Sequence, residues 1–332
     1  MITDSDRTRF GRKKGHRIHS GALLIDAWHT GTVRLTFLLA AAALLYAQDP
    51  VFRTGVSLVR VDVQVMSPAG IVEGLHAEDF IVKDNGQPQP VRYCSQDEDP
   101  LDLLLLFDIS ESMRPSIRRV AASARTALSE LRKGDRIAVA DFNTDSYLMA
   151  PFNDNLEEAA GTVARVVDLR FGGGTHILSA VNDAAKYFAR NSDPHRRRAI
   201  LVFTDDEGQF SMREKSVVDR MWQSDVLLCG LIIRSHGENA IVSPLPGPNY
   251  ETILGVVEKT GGETVDADDP GHAFREMLRR MRKRYSLYYE PPQGKPGSAR
   301  KVDVELSPAA KLKYPATQVL ARKGYFLPSP GQ

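Results

Sequence analysis

Apolar and polar positions largely alternate with a period of two along Val56–Met66, the pattern of a strand that buries one face. Pro68-Ala-Gly70 supplies a turn that ends it. Phe80–Asp84 reads as a second strand, Asn85-Gly86 as a tight hairpin turn, and Val91–Cys94 as the returning strand. So short a β segment cannot bury a core by itself.

At Leu101 the period changes. Leu101-Asp-Leu-Leu-Leu-Leu-Phe107 is almost continuously apolar, which predicts a strand covered on both faces in a parallel sheet. A helix is expected from about Pro115 to Leu131, with proline in its first turn, followed by a strand over Arg136–Phe142 and an edge strand near Tyr147–Ala150. A helix over Leu156–Val167 follows, and Gly172-Gly-Gly-Thr-His176 leads into another that runs to about Phe188. Strand Ala199–Thr204, helix Met212–Gln223, strand Val226–Ile233, a helix from about Tyr250, a short strand at Thr264 and Val265, and a helix over His272–Arg284 complete the series. Repeated strand-then-helix order predicts a doubly wound, mostly parallel α/β sheet with right-handed crossovers.

The later part of the chain returns to β signals at Tyr285–Tyr289, Lys301–Leu306 and Val319–Phe326, with a Pro- and Gly-rich loop over Pro291–Ser298. Strands on both flanks, none able to stand alone, predict a small β-sandwich formed by the two flanks with the α/β domain inserted between them. The expected organisation is a signal peptide over residues 1–47, sandwich strands over 51–97, the α/β domain over 98–284, and the remaining sandwich strands over 285–328.

Charge and composition refine this picture. The chain has 332 residues, long enough for two domains, and its 42% hydrophobic and 26% charged content is that of a globular protein. The net charge of +1 is unevenly spread, because residues 1–47 hold seven Lys/Arg against three acids. The remainder is slightly acidic, so nucleic acid is not an expected partner. Within the basic segment, the run Leu35–Leu45 followed by Tyr46-Ala47-Gln48 reads as a secretory signal with Ala47 at the cleavage position. The run is short of the about 20 residues that a membrane span needs. No cysteine follows it directly, which argues against a lipoprotein anchor; an uncleaved anchor or a buried helix is the alternative. Val33-Arg34-Leu35 would make a compact signal start if translation begins at a GUG codon. Cys94 and Cys229 could pair outside the cytoplasm, but two unpaired small hydrophobes is the preferred reading.

The candidate chemistry sits at the carboxyl end of the most apolar strand. Asp108-Ile-Ser-Glu-Ser112 offers a carboxylate and two hydroxyls at alternate positions, which an extended turn can aim at one point. Ligands of open α/β sheets bind outside those strand ends. Such oxygen donors suit a hard cation, although serine and aspartate in turns and helix caps would give the same local sequence. Two further matches change the balance: Gly172-Gly-Gly-Thr175 places a hydroxyl at a helix start, and Thr204-Asp205 a carboxylate at another strand end. With these in this order, residues 98–284 resemble the von Willebrand factor A domain and its metal-ion-dependent adhesion site (MIDAS).

That resemblance implies roles. Ser110 and Ser112 would coordinate an ion directly, Thr175 directly or through water, and Asp108 and Asp205 mostly through bound waters. The ion would be Mg²⁺, or Mn²⁺ or Ca²⁺. Few direct carboxylates leave it electrophilic, ready to accept a Glu or Asp carboxylate from a protein partner. Asp206 departs from the glycine common in the family, and with Glu207 and Glu111 it would draw the cation more strongly or repel an acidic ligand. The flanks resemble a bacterial group of secreted proteins carrying this domain, through Leu58-Val-Arg-Val-Asp-Val63, Gly74-Leu-His-Ala-Glu-Asp-Phe80, Asn85-Gly-Gln-Pro-Gln89 and Arg322-Lys-Gly-Tyr325.

Other motifs carry less. The glycine run lacks the Lys-Ser/Thr pair of a phosphate loop, and His176 reads as a solvent-facing helix-start residue rather than a ligand or base. Neither a His-Glu-x-x-His zinc motif nor a Gly-x-Ser-x-Gly elbow occurs. Arg279–Arg284 is explained by cations at a helix C-terminus, and Arg196–Arg198 by a solvated turn. The expected function is a non-enzymatic, metal-dependent adhesion or protein-binding module, exported to the bacterial periplasm or beyond, without a stable membrane span once the signal is cleaved. A metal-dependent hydrolase and a structural envelope protein with a fold-stabilising ion are the alternatives.

Overall fold

The computed structural model describes residues 8–9, 58–233 and 250–328, so the Leu35–Leu45 run, the alternative start at Val33 and residues Val56 and Ser57 lie outside the described residues. The N-terminal flank supplies β1 (Val59–Ser67), β2 (Phe80–Asp84) and β3 (Val91–Gln96). The α/β domain follows as β4 (Leu101–Asp108), α1 (Arg114–Leu128), β5 (Arg136–Phe142), β6 (Ser146–Asn153), α2 (Leu156–Arg165), α3 (Ile177–Asn191), β7 (Arg197–Thr204), α4 (Glu214–Gln223), β8 (Leu227–Ile232), α5 (Leu254–Thr260), β9 (Thr264–Asp266) and α6 (Pro270–Arg282). Next come β10 (Tyr285–Tyr289), β11 (Ala299–Leu306), α7 (Pro308–Lys313), β12 (Gln318–Ala321) and β13 (Gly324–Phe326).

The central sheet runs in the order β6-β5-β4-β7-β8-β9, with every pair parallel except β5 and β6, and Thr8–Arg9 adds two antiparallel residues outside β6. Why β4 is apolar throughout is now plain. Leu101, Leu103, Leu105 and Phe107 point into the core beneath α1, α2 and α6, whereas Leu104 and Leu106 point into the core beneath α3, α4 and α5. Phe107 stacks on Phe203 of β7 at 4.4 Å between ring centroids, and Phe203 meets Phe274 of α6 edge-on at 4.9 Å. The doubly wound sheet inferred from sequence is the architecture observed.

The flanks form the sandwich. One sheet has the order β12-β1-β10-β3 and the other β13-β11-β2 with Gln87–Gln89 at its edge. Val61, Val63 and Leu287 of the first meet Val82, Val304 and Leu306 of the second in one core. Inside it, the buried Asp84 accepts hydrogen bonds from Tyr289 at 2.9 Å and Tyr325 at 2.7 Å, and from Arg300 at 2.6 Å. Two details differ from the sequence expectation. The single strand over Val319–Phe326 is two strands that serve different sheets, and α7 was not foreseen, although Ser307 caps it and Pro308 opens it. The cysteines are both free: Cys94 packs on the sandwich core and Cys229 is buried in the α/β core.

The basic runs also differ from expectation. Arg197 and Arg198 are only 2% and 7% exposed, so the solvated-turn reading of Arg196–Arg198 is overturned. These residues start β7 beneath the sandwich, where β1 turns Val61 and Val63 into the sandwich core and Arg60 and Asp62 toward the α/β domain. Arg197 Nε donates to Asp62 Oδ1 at 3.0 Å, and its Nη2 to the Met281 carbonyl at the end of α6 at 2.7 Å. Arg60 and Arg322 both grip Asp225, at 2.8 Å and 2.5 Å. Arg282 and Arg284, expected as helix-end cations, are buried as well, and Arg282 donates to the Asp97 and Asp99 carbonyls.

Burial opposes the charge of Asp62, but Arg197, Arg60, Arg284 and Arg322 outweigh it and hold its carboxyl below the ordinary range. A depressed carboxyl stabilises the fold above its unfolded pKa, and that contribution disappears as pH falls through the folded value. Acid is therefore expected to weaken the junction only below about pH 4. Unfolding midpoints of parent and Asp62→Asn should converge there, and a constant gap across the acid range would contradict the assignment.

Candidate metal centre

Three loops at the carboxyl ends of β4, β5 and β7, with the glycine loop before α3, build the site. Asp108 ends β4 and is fully buried, with Oδ1 accepting from the Ser110 amide at 2.9 Å and Oδ2 from the Thr204 hydroxyl at 2.8 Å. The chain then turns through Ser110 into a 3₁₀ turn at Glu111–Met113, which sets Ser110 Oγ and Ser112 Oγ 3.2 Å apart. Ser112 Oγ donates across to Asp205 Oδ2 at 2.5 Å, joining the β4 and β7 loops by a side-chain bond.

Thr175 reaches the same rim by backbone ties. The Gly172 amide donates to the Ile109 carbonyl at 2.9 Å, and the Gln209 amide donates to the Thr175 carbonyl at 2.8 Å. Gly172 and Gly173 adopt φ of 130° and 95°, a region L side chains rarely enter, which is why the loop needs glycine there. Asn143 and Thr144, just past β5, hold the loop from its other side: Asn143 Nδ2 donates to the Gly172 carbonyl and the Gly174 amide to Thr144 Oγ1, both at 2.9 Å. Thus Asp108, Ser110, Ser112 and Asp205 are linked through side-chain hydrogen bonds, whereas the Thr175 loop is tied by backbone bonds to Ile109 and Gln209.

Sequence reasoning missed Asn143 and Thr144 as supports and Thr204 as a donor to Asp108. Each lies at or just past the carboxyl end of a predicted strand, and that position was the available signal. His176 is the N-cap residue just before α3, and its Nδ1 meets the Thr144 carbonyl at 3.0 Å.

Burial first, and then the charge of Asp205, push the Asp108 carboxyl up to about 6, against the opposing effect of the Ser110 and Thr204 hydrogen bonds. A divalent ion between the two carboxylates would relieve that repulsion. Among the described residues no three His, Cys, Asp or Glu side chains form a metal-holding group. Asp108 and Asp205 with Ser110, Ser112 and Thr175 are oxygen donors throughout, which fits a hard divalent cation. Two of the neighbouring acids have partners of their own. Glu111 is paired with Arg114 through two contacts of 3.0 Å, and Asp206 turns its Oδ1 to the Ile253 amide at 2.9 Å. Glu207 is exposed, and so is Phe210, at 54%.

In a doubly wound domain, the carboxyl ends of the parallel strands are where ligands bind, and it is there that these carboxylates and hydroxyls lie. Residues 103–209 match the family model described as von Willebrand factor type A domain, and the chain carries such a domain. Among solved structures, an aerotolerance-related membrane protein from Bacteroides fragilis is similar over 55% of this chain and 99% of its own, at 18% identity and a TM-score of 0.43. A von Willebrand factor type A protein from Catenulispora acidiphila is similar over 84% and 76%, at 11% identity and 0.44. Proximal thread matrix protein 1 from the mussel byssus, solved with a zinc-occupied MIDAS motif, is similar over 60% and 50%, at 13% identity and 0.45. No curated protein matches the chain.

Proposed function

We propose that this chain is an exported, non-enzymatic binding module. Asp108, Ser110, Ser112, Thr175 and Asp205 hold a divalent cation, Mg²⁺ or Mn²⁺, and the cation takes up an Asp or Glu carboxylate of a protein partner. The observation that carries the reading is the Ser112–Asp205 hydrogen bond of 2.5 Å, which draws donors from two different strand ends to one point beside the buried Asp108. Hydroxyl-rich coordination leaves positive charge on the ion, and an anionic oxygen from outside is the complementary ligand. The Glu111–Arg114 pair limits repulsion of that carboxylate at the rim. Export is supported by the Leu35–Leu45 run with Ala47 after it. No helix among the described residues is long and apolar enough to cross a membrane.

Cross-linking pull-down from the native envelope tests the partner. Capture is expected with Mg²⁺ present and should fall at least tenfold with chelator, returning when Mn²⁺ is added. Equal capture with and without chelator would instead assign the ion a structural role, and chelator-sensitive turnover of ester or phosphoester substrates would assign a hydrolytic one.

A further inference from the structure

A short strand at Tyr250–Glu251 pairs antiparallel with Gly208–Gln209, directly after the loop that carries Asp205. A helix start had been expected here, but α5 begins only at Leu254. The side chain of Glu251 is buried, and its carboxylate collects donors from two separate places. Oε1 accepts from the Leu178 amide in the first turn of α3 at 2.9 Å and from Ser211 Oγ at 2.8 Å. Oε2 accepts from the Ser211 amide at 2.7 Å and the Met212 amide at 3.3 Å. The Ser179 amide in turn donates to Ser211 Oγ at 3.2 Å.

We propose that Glu251, assisted by Asp206, is a positioning residue for the metal centre, fixing the Asp205 loop against the start of α3 and hence against Thr175. This rests on the metal-binding reading above. Leu178 N belongs to the helix-start amides that have no partner within α3, so a carboxylate there satisfies it and also meets the positive end of the helix dipole. Because α3 begins two residues after Thr175, its first turn and the Thr175 hydroxyl move together. The other donors lie six and seven residues past Asp205, which couples the second loop to the same carboxylate. Close approach is built in. A Cβ at Gly208 would lie 2.8 Å from Glu251 Cγ and 3.1 Å from Ile177 Cδ1. Asp206 completes the tie: at φ of 61° it occupies the left-handed region and binds the Ile253 amide, two residues beyond Glu251. The acid that stands where the family has glycine therefore holds the loop rather than the ion.

The test uses the full chain and Mn²⁺ alone, with affinity by calorimetry and Tm by circular dichroism. Glu251→Gln keeps the shape but turns an NH₂ toward one of the amide donors. It is expected to weaken Mn²⁺ binding at least tenfold, as supports of metal ligands do. Ser211→Ala, a milder change, should weaken it about fivefold and carries the test if Glu251→Gln does not fold. Tyr325→Phe, which disturbs only the sandwich network at Asp84, is the control: it should lower Tm and leave Mn²⁺ affinity unchanged. Parent-like affinity in the folded Glu251 or Ser211 variant, or an equal loss in Tyr325→Phe, overturns the inference while the metal site stands. A parent protein that takes up no Mn²⁺ overturns both.

Discussion

Asp108→Ala is expected to abolish Mg²⁺ and Mn²⁺ uptake measured by calorimetry, a loss of at least 100-fold in affinity. Its carboxylate is the buried charge at the centre of the donor set, fixed by Thr204 and the Ser110 amide. The same substitution separates the metal-bound from the metal-free state in stability. At a free Mn²⁺ concentration of about 100 Kd, the parent should gain about 2.7 kcal/mol against unfolding, and the variant nothing. Without metal the sign is different. A carboxyl raised to about 6 contributes stability that is full below its ordinary pKa and is lost as pH rises through the folded value. Ionised Asp108 thus costs the metal-free protein up to about 3 kcal/mol at neutral pH, the hydrogen bonds from Ser110 and Thr204 already included. Metal and proton compete for this group, so Mn²⁺ affinity should fall by up to about tenfold per pH unit below pH 6. Equal binding by parent and Asp108→Ala would remove the metal from the proposed function.

Most of the fold was legible because its core strands are buried on both faces. Leu101–Phe107 followed by a helix bears the mark of a parallel sheet, and the same logic located β5, β7 and β8 to within two residues. The candidate donors Asp108, Ser110, Ser112, Thr175 and Asp205 stand out because each sits at a strand end or helix start, where the topology makes loops converge, and because their order resembles that of the von Willebrand factor A domain. What escaped depended on contacts between residues far apart in sequence. Glu251 lies in a stretch whose apolar spacing suits a helix, and its strand pairing arises only from the Gly208–Gln209 partner that folding brings alongside. Arg197 escaped for the same reason. Three consecutive arginines read as solvated because burying them requires acids and carbonyls from elsewhere, and Asp62 and the end of α6 are 135 and 84 residues away. Position 206 shows a related limit: its charge suggested an acid that draws the cation or repels an acidic ligand, whereas its Oδ1 accepts from the Ile253 amide.

Arg197→Met is expected to lower unfolding free energy by about 3–5 kcal/mol, the cost of breaking a buried ion pair by removing one partner. Methionine fills much of the same space, so the loss reports the guanidinium rather than a cavity. Three acceptors lose a donor together: Asp62 Oδ1, and the Met281 and Arg282 carbonyls at the end of α6. Those carbonyls are among the final ones of a helix and have no intrahelical partner. Lysine should rescue little, because one ammonium cannot match the planar fork that reaches Asp62 and the helix end at once. The consequence extends beyond stability. Arg197 ties β1 of the sandwich to β7, and β7 ends at Thr204 and Asp205, yet the clamp grips the opposite end of that strand from the metal donors. Since the ties around Asp205 and Thr175 are local to their own rim, Arg197→Met is expected to shift the urea midpoint strongly while leaving Mn²⁺ affinity in the folded state within about twofold. A destabilisation below about 1 kcal/mol would mean that Arg60 and Arg284 suffice to hold Asp62. A large loss of Mn²⁺ affinity would mean that the sandwich controls the metal face through β7.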